Sequence, residues 1–170
     1  MKIEVHNLST QYIVRNLLPV DTEKIYEVLK ENTIFYKYHP PMVTVESILV
    51  DMKALPPNKG YEEKHYVGFF CDDVLVAVMD LIEHYPQEGT ALLGFFAMNS
   101  NFQGQGIGTA IISESIAYLA QLGFRKVRLG IDKGNPQSKA FWLKNAFTFT
   151  GEAYESDSST ILVMERNLNE

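Results

Sequence analysis

The chain has 170 residues, with 15 Lys and Arg against 21 Asp and Glu, a net charge of -6 and 46% hydrophobic residues. This length predicts one domain, 1–170, with a sizeable core, and the composition excludes a disordered, collagen-like or coiled-coil chain. The acidic balance argues against a nonspecific partner for nucleic acid or anionic membrane.

The chain alternates strand-like and helix-like segments, which predicts an α+β or α/β class. Residues 12–17 read as a first strand. Pro19 ends it, and Asp21 is placed to cap a helix with Ile25, Val28 and Leu29 on one face. Residues 35–41 form an aromatic loop stopped by Pro40 and Pro41, and Thr44 can cap a second short helix carrying Ile48, Leu49 and Met52. Residues 65–70 and 74–82 are β-branched or aromatic around Asp72 and Asp73, a hairpin pattern. Residues 90–98 form a buried strand, followed by a glycine-rich stretch and then a helix running to Gly123. Residues 127–131 form a strand, and Pro136 opens a short helix ending near Asn145. Residues 147–150 and 160–164 read as a final antiparallel pair.

The single cysteine, Cys71, excludes an internal disulfide or a multi-cysteine zinc site. The histidines His6, His39, His65 and His84 have no ligand spacing, so no metal is expected. No apolar run reaches the roughly 18 residues of a membrane span, and the N-terminus has no signal-like apolar core. A cytoplasmic location is the expectation.

The most informative stretch is Gln103, Gly104, Gln105, Gly106, Ile107, Gly108 and Thr109 between a strand and a helix. The first backbone N–H groups of a helix lack internal partners, and the macrodipole puts partial positive charge there. Glycines remove the Cβ atoms that would hold a ligand away, so the turn suits a phosphate or diphosphate. The alternative is a turn whose glycines serve packing alone. A Walker loop is excluded because no Gly-Lys-Ser/Thr occurs. A dinucleotide fold wants Gly-x-Gly-x-x-Gly on its first strand, whereas this motif is Gly-x-Gly-x-Gly late in the chain.

Gln103-x-x-Gly106-x-Gly108 resembles the acetyl-CoA motif Arg/Gln-x-x-Gly-x-Gly/Ala of the GNAT family of N-acetyltransferases. The stretch from Asn135 through Ala140 to Trp142, Ala146 and Phe147 resembles that family's later motif, Asn-x-x-Ala-x-x-x-Tyr-x-x-x-Gly-Phe, one helix and one strand further on. The resemblance implies a mixed, mostly antiparallel sheet of about six or seven strands with about four helices, splayed between the strands at 90–98 and 126–131. It also implies acetyl-CoA as acyl donor. Backbone groups of Phe96 and Met98 would bond the pantetheine arm, residues 103–109 would hold the diphosphate, and Asn135, Ser138 and Trp142 would line the cofactor. A homodimer is common in the family.

The implied activity is acetyl transfer to a primary amine, on a small molecule or a protein, by direct attack in a ternary complex. The alternative is an acyl-CoA-binding module without turnover; a nucleotide-dependent oxidoreductase is the third class. An alkyl amine is only about one part in a few thousand neutral at pH 7, so a base is needed. Glu83 is the first candidate, ahead of Asp80 and His84. The backbone N–H near Met98 is the candidate oxyanion donor. Trp142 stands where the family has an acidic tyrosine, and indole cannot serve as an acid; Tyr154 is a possible substitute. Tyr36, Tyr38 and His39 are candidates for lining the acceptor pocket.

Overall fold

The computed structural model describes residues 2–169. A 3-10 turn at Val5–Leu8 precedes strand β1 (Ile13–Asn16), and a second turn, Pro19–Asp21, leads into helix α1 (Thr22–Leu29). Helices α2 (Thr33–Tyr38) and α3 (Val45–Lys53) follow, then strands β2 (Lys64–Cys71), β3 (Val74–Ile82) and β4 (Thr90–Met98). Helix α4 (Ile107–Gln121), strand β5 (Lys126–Asp132), helix α5 (Pro136–Lys144) and strands β6 (Thr148–Glu155) and β7 (Thr160–Asn167) complete the chain.

The seven strands form one sheet in the order β1-β2-β3-β4-β5-β7-β6. Every neighbouring pair is antiparallel except β4 and β5. On one face Val67, Phe69, Met79, Leu81 and Leu93 pack with Ile111, Ile112 and Leu119 of α4. On the other, Tyr66, Phe70, Val78 and Ala97 pack with Ile25, Leu29 and Ile48 of α1 and α3. Each buried Val, Leu, Ile, Phe or Met side chain among these contributes about 1.5–3 kcal/mol of transfer free energy.

Two local expectations need correction. Asp21 makes no cap bond to α1. Its carboxylate accepts instead from Leu18 N at 2.8 Å and from both terminal nitrogens of Arg15 at 2.9 Å. The segment at 35–41 is not a loop throughout, because α2 runs to Tyr38 and brings the helix count among the described residues to five. Six residues show too little periodicity to be read as a helix. Its support is tertiary: the Phe35 ring meets Phe95 edge-on at 5.6 Å and tilts against His39 at 5.3 Å. Thr44 caps α3 as expected, accepting from Ser47 N at 3.0 Å.

Candidate active site

Strands β4 and β5 pair only through Thr90, Ala91 and Leu92 against Lys126, Val127 and Arg128. Beyond that point β5 follows β7 to its end, where Asp132 faces Ile161, while β4 stays with β3. A gap therefore opens between 93–98 and 129–132. Its β4 wall has a defined polarity. Asn99 N donates to Val76 O at 2.8 Å. By the alternation of an antiparallel ladder, Phe96 and Met98 occupy the non-hydrogen-bonded positions opposite Met79 and Ala77. Their N–H and C=O groups point away from β3 into the gap. Met98 O accepts from Asn32 Nδ2 at 3.2 Å and Gln103 Nε2 at 3.3 Å.

At the open end of the gap lies the glycine turn. Gly106 is the N-cap of α4 in the left-handed conformation, with φ 77°, and Gly104 has φ 73°. A Cβ on either would meet nothing within 4 Å. Gly108 serves a different purpose: a Cβ there would come within 3.2 Å of Phe141 and 3.5 Å of Met98, so it lets α4 close on β4 and α5. The first intrahelical bond runs from Ala110 N to Gly106 O at 3.0 Å. The amides of Ile107, Gly108 and Thr109 precede it and have no carbonyl one turn back.

Helix α5 closes the other side. Asn135 is 2% exposed and caps α5, its Oδ1 accepting from Gln137 N and Ser138 N at 3.0 and 3.1 Å. Among the described residues its Nδ2 is buried with no partner. A buried amide donor without an acceptor costs roughly 1–3 kcal/mol, and a bound acceptor removes that cost. Trp142 is 8% exposed and stands edge-on to Phe96, Phe141 and Phe147, with centroids at 6.1, 4.8 and 5.1 Å. Together these walls enclose a cavity of 320 Å³. Phe96, Met98, Gln103, Gly104, Gly106, Gly108, Thr109, Ser138 and Trp142, named from the sequence, all line it. The open space at Gly104 and Gly106, the unpaired helix amides and the orphan Nδ2 of Asn135 together fit a diphosphate continued by an amide-bearing arm.

A sequence model of the acetyltransferase (GNAT) family matches residues 23–147. The chain belongs to the GNAT acetyltransferase family. The solved structures agree on the fold. An acetyltransferase from Thermus thermophilus has 20% identity and a TM-score of 0.73, covering 91% of this chain and 95% of its own. Ard1 from Thermoplasma volcanium has 20% identity and a TM-score of 0.67, covering 95% and 100%. The paia N-acetyltransferase from Thermoplasma acidophilum, in complex with coenzyme A, has 18% identity and a TM-score of 0.63, covering 91% and 97%. No curated protein sequence matches the chain.

The remaining expected residues of this GNAT chain fall elsewhere. Asn135, Gln105 and Ile107 do not line the cavity wall itself. Gln105 turns back to Asn101 O at 3.0 Å, while Ile107 offers only its backbone and packs on the core. Glu83 is not in the cleft. It follows the Ile82–Leu92 pair, at the closed end of the splay, about 20 Å along β4 from Met98. It is 5% exposed, and its Oε2 lies 2.5 Å from His65 Nε2. His84 is stacked on Phe124 at 4.8 Å. Asp80 lies nearer: a Cβ on Gly94 would come within 3.3 Å of its Oδ2. Burial raises the Asp80 pKa above the usual carboxylate range, against the pull of Lys64. Lys64 Nζ holds both its oxygens, at 3.0 and 2.9 Å. Tyr66 and Tyr36, on the same side, are pushed up by desolvation. So is Tyr154, a shift away from the acid role considered for it.

Asn32, Phe35, Phe102, Gln137, Phe141 and Lys144 line the cavity without having been singled out. Phe141 and Lys144 sit inside the second motif, where a helical wheel from Asn135 would have found them. Asn32 and Phe35 come from the misread α2 region, and their approach to β4 is a long-range contact with no local signal.

Proposed function

We propose that the protein transfers the acetyl group of acetyl-CoA to a primary amine by direct attack in a ternary complex. The observation that carries this is the alignment of two features in one cleft: unpaired helix amides over Cβ-free space, and a strand edge whose backbone faces an open gap. The amides at 103–109 bind the diphosphate, with Lys144 at the rim. Phe96 and Met98 extend their backbone groups to the pantetheine arm, and Asn135 Nδ2 finds its acceptor there. The Met98 N–H polarises the thioester carbonyl. Trp142 shapes the wall and donates no proton to sulfur. A thiol with a pKa of about 8.5 leaves as a thiolate without a donor, so the absent tyrosine does not preclude turnover.

Thiol release from acetyl-CoA, followed across polyamines, aminoglycosides, amino acids and peptides, tests the proposal. Release that depends on an amine is the expected result. Calorimetric binding of acetyl-CoA with no release on any acceptor overturns acetyl transfer in favour of a binding module. Binding of NADH without acetyl-CoA overturns both.

A further inference from the structure

With Glu83 tied to His65 and Asp80 to Lys64, the attacking amine needs another proton acceptor. We infer that His39, oriented by Asp132, is that base. His39 plays this part only if the chain transfers acetyl groups as proposed above.

Three observations converge on it. First, His39 Nδ1 lies 2.8 Å from Asp132 Oδ1, and Asp132 is 4% exposed. A carboxylate only accepts, so Nδ1 carries the hydrogen, and in the neutral ring Nε2 then presents the lone pair. Second, Nε2 makes no hydrogen bond within the described chain, and the side chain is 39% exposed. The base is thus half open to an incoming molecule while its far side is fixed. Third, the pair stands beside the splay, next to the cavity wall although neither residue lines the cavity itself. His39 follows α2 and tilts against Phe35, a wall of the cavity, while Asp132 ends β5 on the opposite lip. Ser159 Oγ also donates to Asp132, and Ser158 Oγ donates to Pro40 O at 2.5 Å, which holds the β6–β7 turn against the same segment. The other charge reaching His39 is Asp51 of α3.

In the step, the lone pair of the amine nitrogen forms a bond to the acetyl carbon. The carbon–sulfur bond breaks, and its electron pair leaves on sulfur. His39 Nε2 takes the proton shed by nitrogen, and the imidazolium returns it to the thiolate through water. The products are the N-acetyl amide and coenzyme A. Asp132 is a positioning residue that acts through the ring.

The test compares wild type, His39→Gln, His39→Gly and Asp132→Asn, using the best amine of the panel and acetyl-CoA. His39→Gln is expected to lower kcat/KM about 100-fold or more at neutral pH and to lose the acid limb of the pH profile, with acetyl-CoA affinity unchanged. Added imidazole is expected to restore part of the rate to His39→Gly. Nitrogen-15 NMR of the wild type without ligand, at a pH where the ring is neutral, is expected to show the Nδ1–H tautomer of His39, and Asp132→Asn is expected to shift it towards the Nε2–H form. A wild-type rate and pH profile in His39→Gln, or an Nε2-protonated ring in the wild type, overturns the assignment and leaves acetyl transfer standing. A wild type that binds acetyl-CoA yet releases no thiol with any amine overturns the transfer reaction, and the base with it.

Discussion

Replacing Gly106 by Glu isolates the anion site. The Cβ enters open space, with nothing within 4 Å, so the fold loses only the strain of an L-residue at φ 77°, about 1–2 kcal/mol. The bound state loses far more. A carboxylate about 5 Å from two phosphate charges meets a repulsion of roughly 0.8 kcal/mol per charge in bulk water and roughly 3.3 at an effective dielectric of about 20. For both charges that amounts to about 2–7 kcal/mol, a loss of about 30-fold to 10⁵-fold in affinity. Calorimetric titration of acetyl-CoA into wild type, Gly106→Ala and Gly106→Glu measures it, with urea unfolding of each as a control for folding. Gly106→Ala is expected to lose less, since it adds bulk without charge. The penalty in Gly106→Glu should shrink as salt is raised, because part of it is screened. A folded Gly106→Glu protein that binds acetyl-CoA within twofold of wild type refutes the placement of the diphosphate.

Ala146 has φ 67°, at the position where the family motif has glycine. Ala146→Gly is therefore expected to raise unfolding stability by about 0.5–1.5 kcal/mol, measured by urea titration. Lys64 is 3% exposed in its side chain and held by Asp80. Asp80→Ala should cost about 3–5 kcal/mol, whereas the Lys64→Met/Asp80→Leu double variant should be near neutral or more stable. Hydrogen bonding from Arg15 depresses the Asp21 pKa below the usual range. Its contribution to stability is then full above the ordinary carboxylate pKa and fades as pH falls through the depressed folded value. Asp21→Asn is expected to cost about 1–2 kcal/mol at neutral pH and to flatten that acid limb in urea titrations run from pH 7 downwards.

The glycine turn and the helix after β5 were legible because their signal is local. Gly104, Gly106 and Gly108 lie within one turn, and Asn135 and Trp142 within two turns of one helix. Even so, spacing alone did not separate the two glycines that face open space from the one that packs. The contact of His39 with Asp132 was hidden because it joins distant segments. His39 and Asp132 are 93 residues apart. The surroundings of Asp80 turned on hairpin register. A turn at Asp72 and Asp73 sets Cys71 opposite Val74, but a bulge between Phe69 and Phe70 shifts the ladder by one. Asp80 then faces Tyr66 rather than His65, and a one-residue slip exchanges the two faces of a strand. Asp21 was misassigned for a similar reason: its guanidinium partner lies on β1, and an ion pair outcompetes a cap bond it was equally placed to make.

The most direct measurement is a crystal structure of the protein with coenzyme A. The diphosphate oxygens should lie within hydrogen-bond distance of the amides between Gln103 and Thr109, with the arm running between β4 and β5. Coenzyme A bound at any other surface, with the glycine turn untouched, contradicts the account.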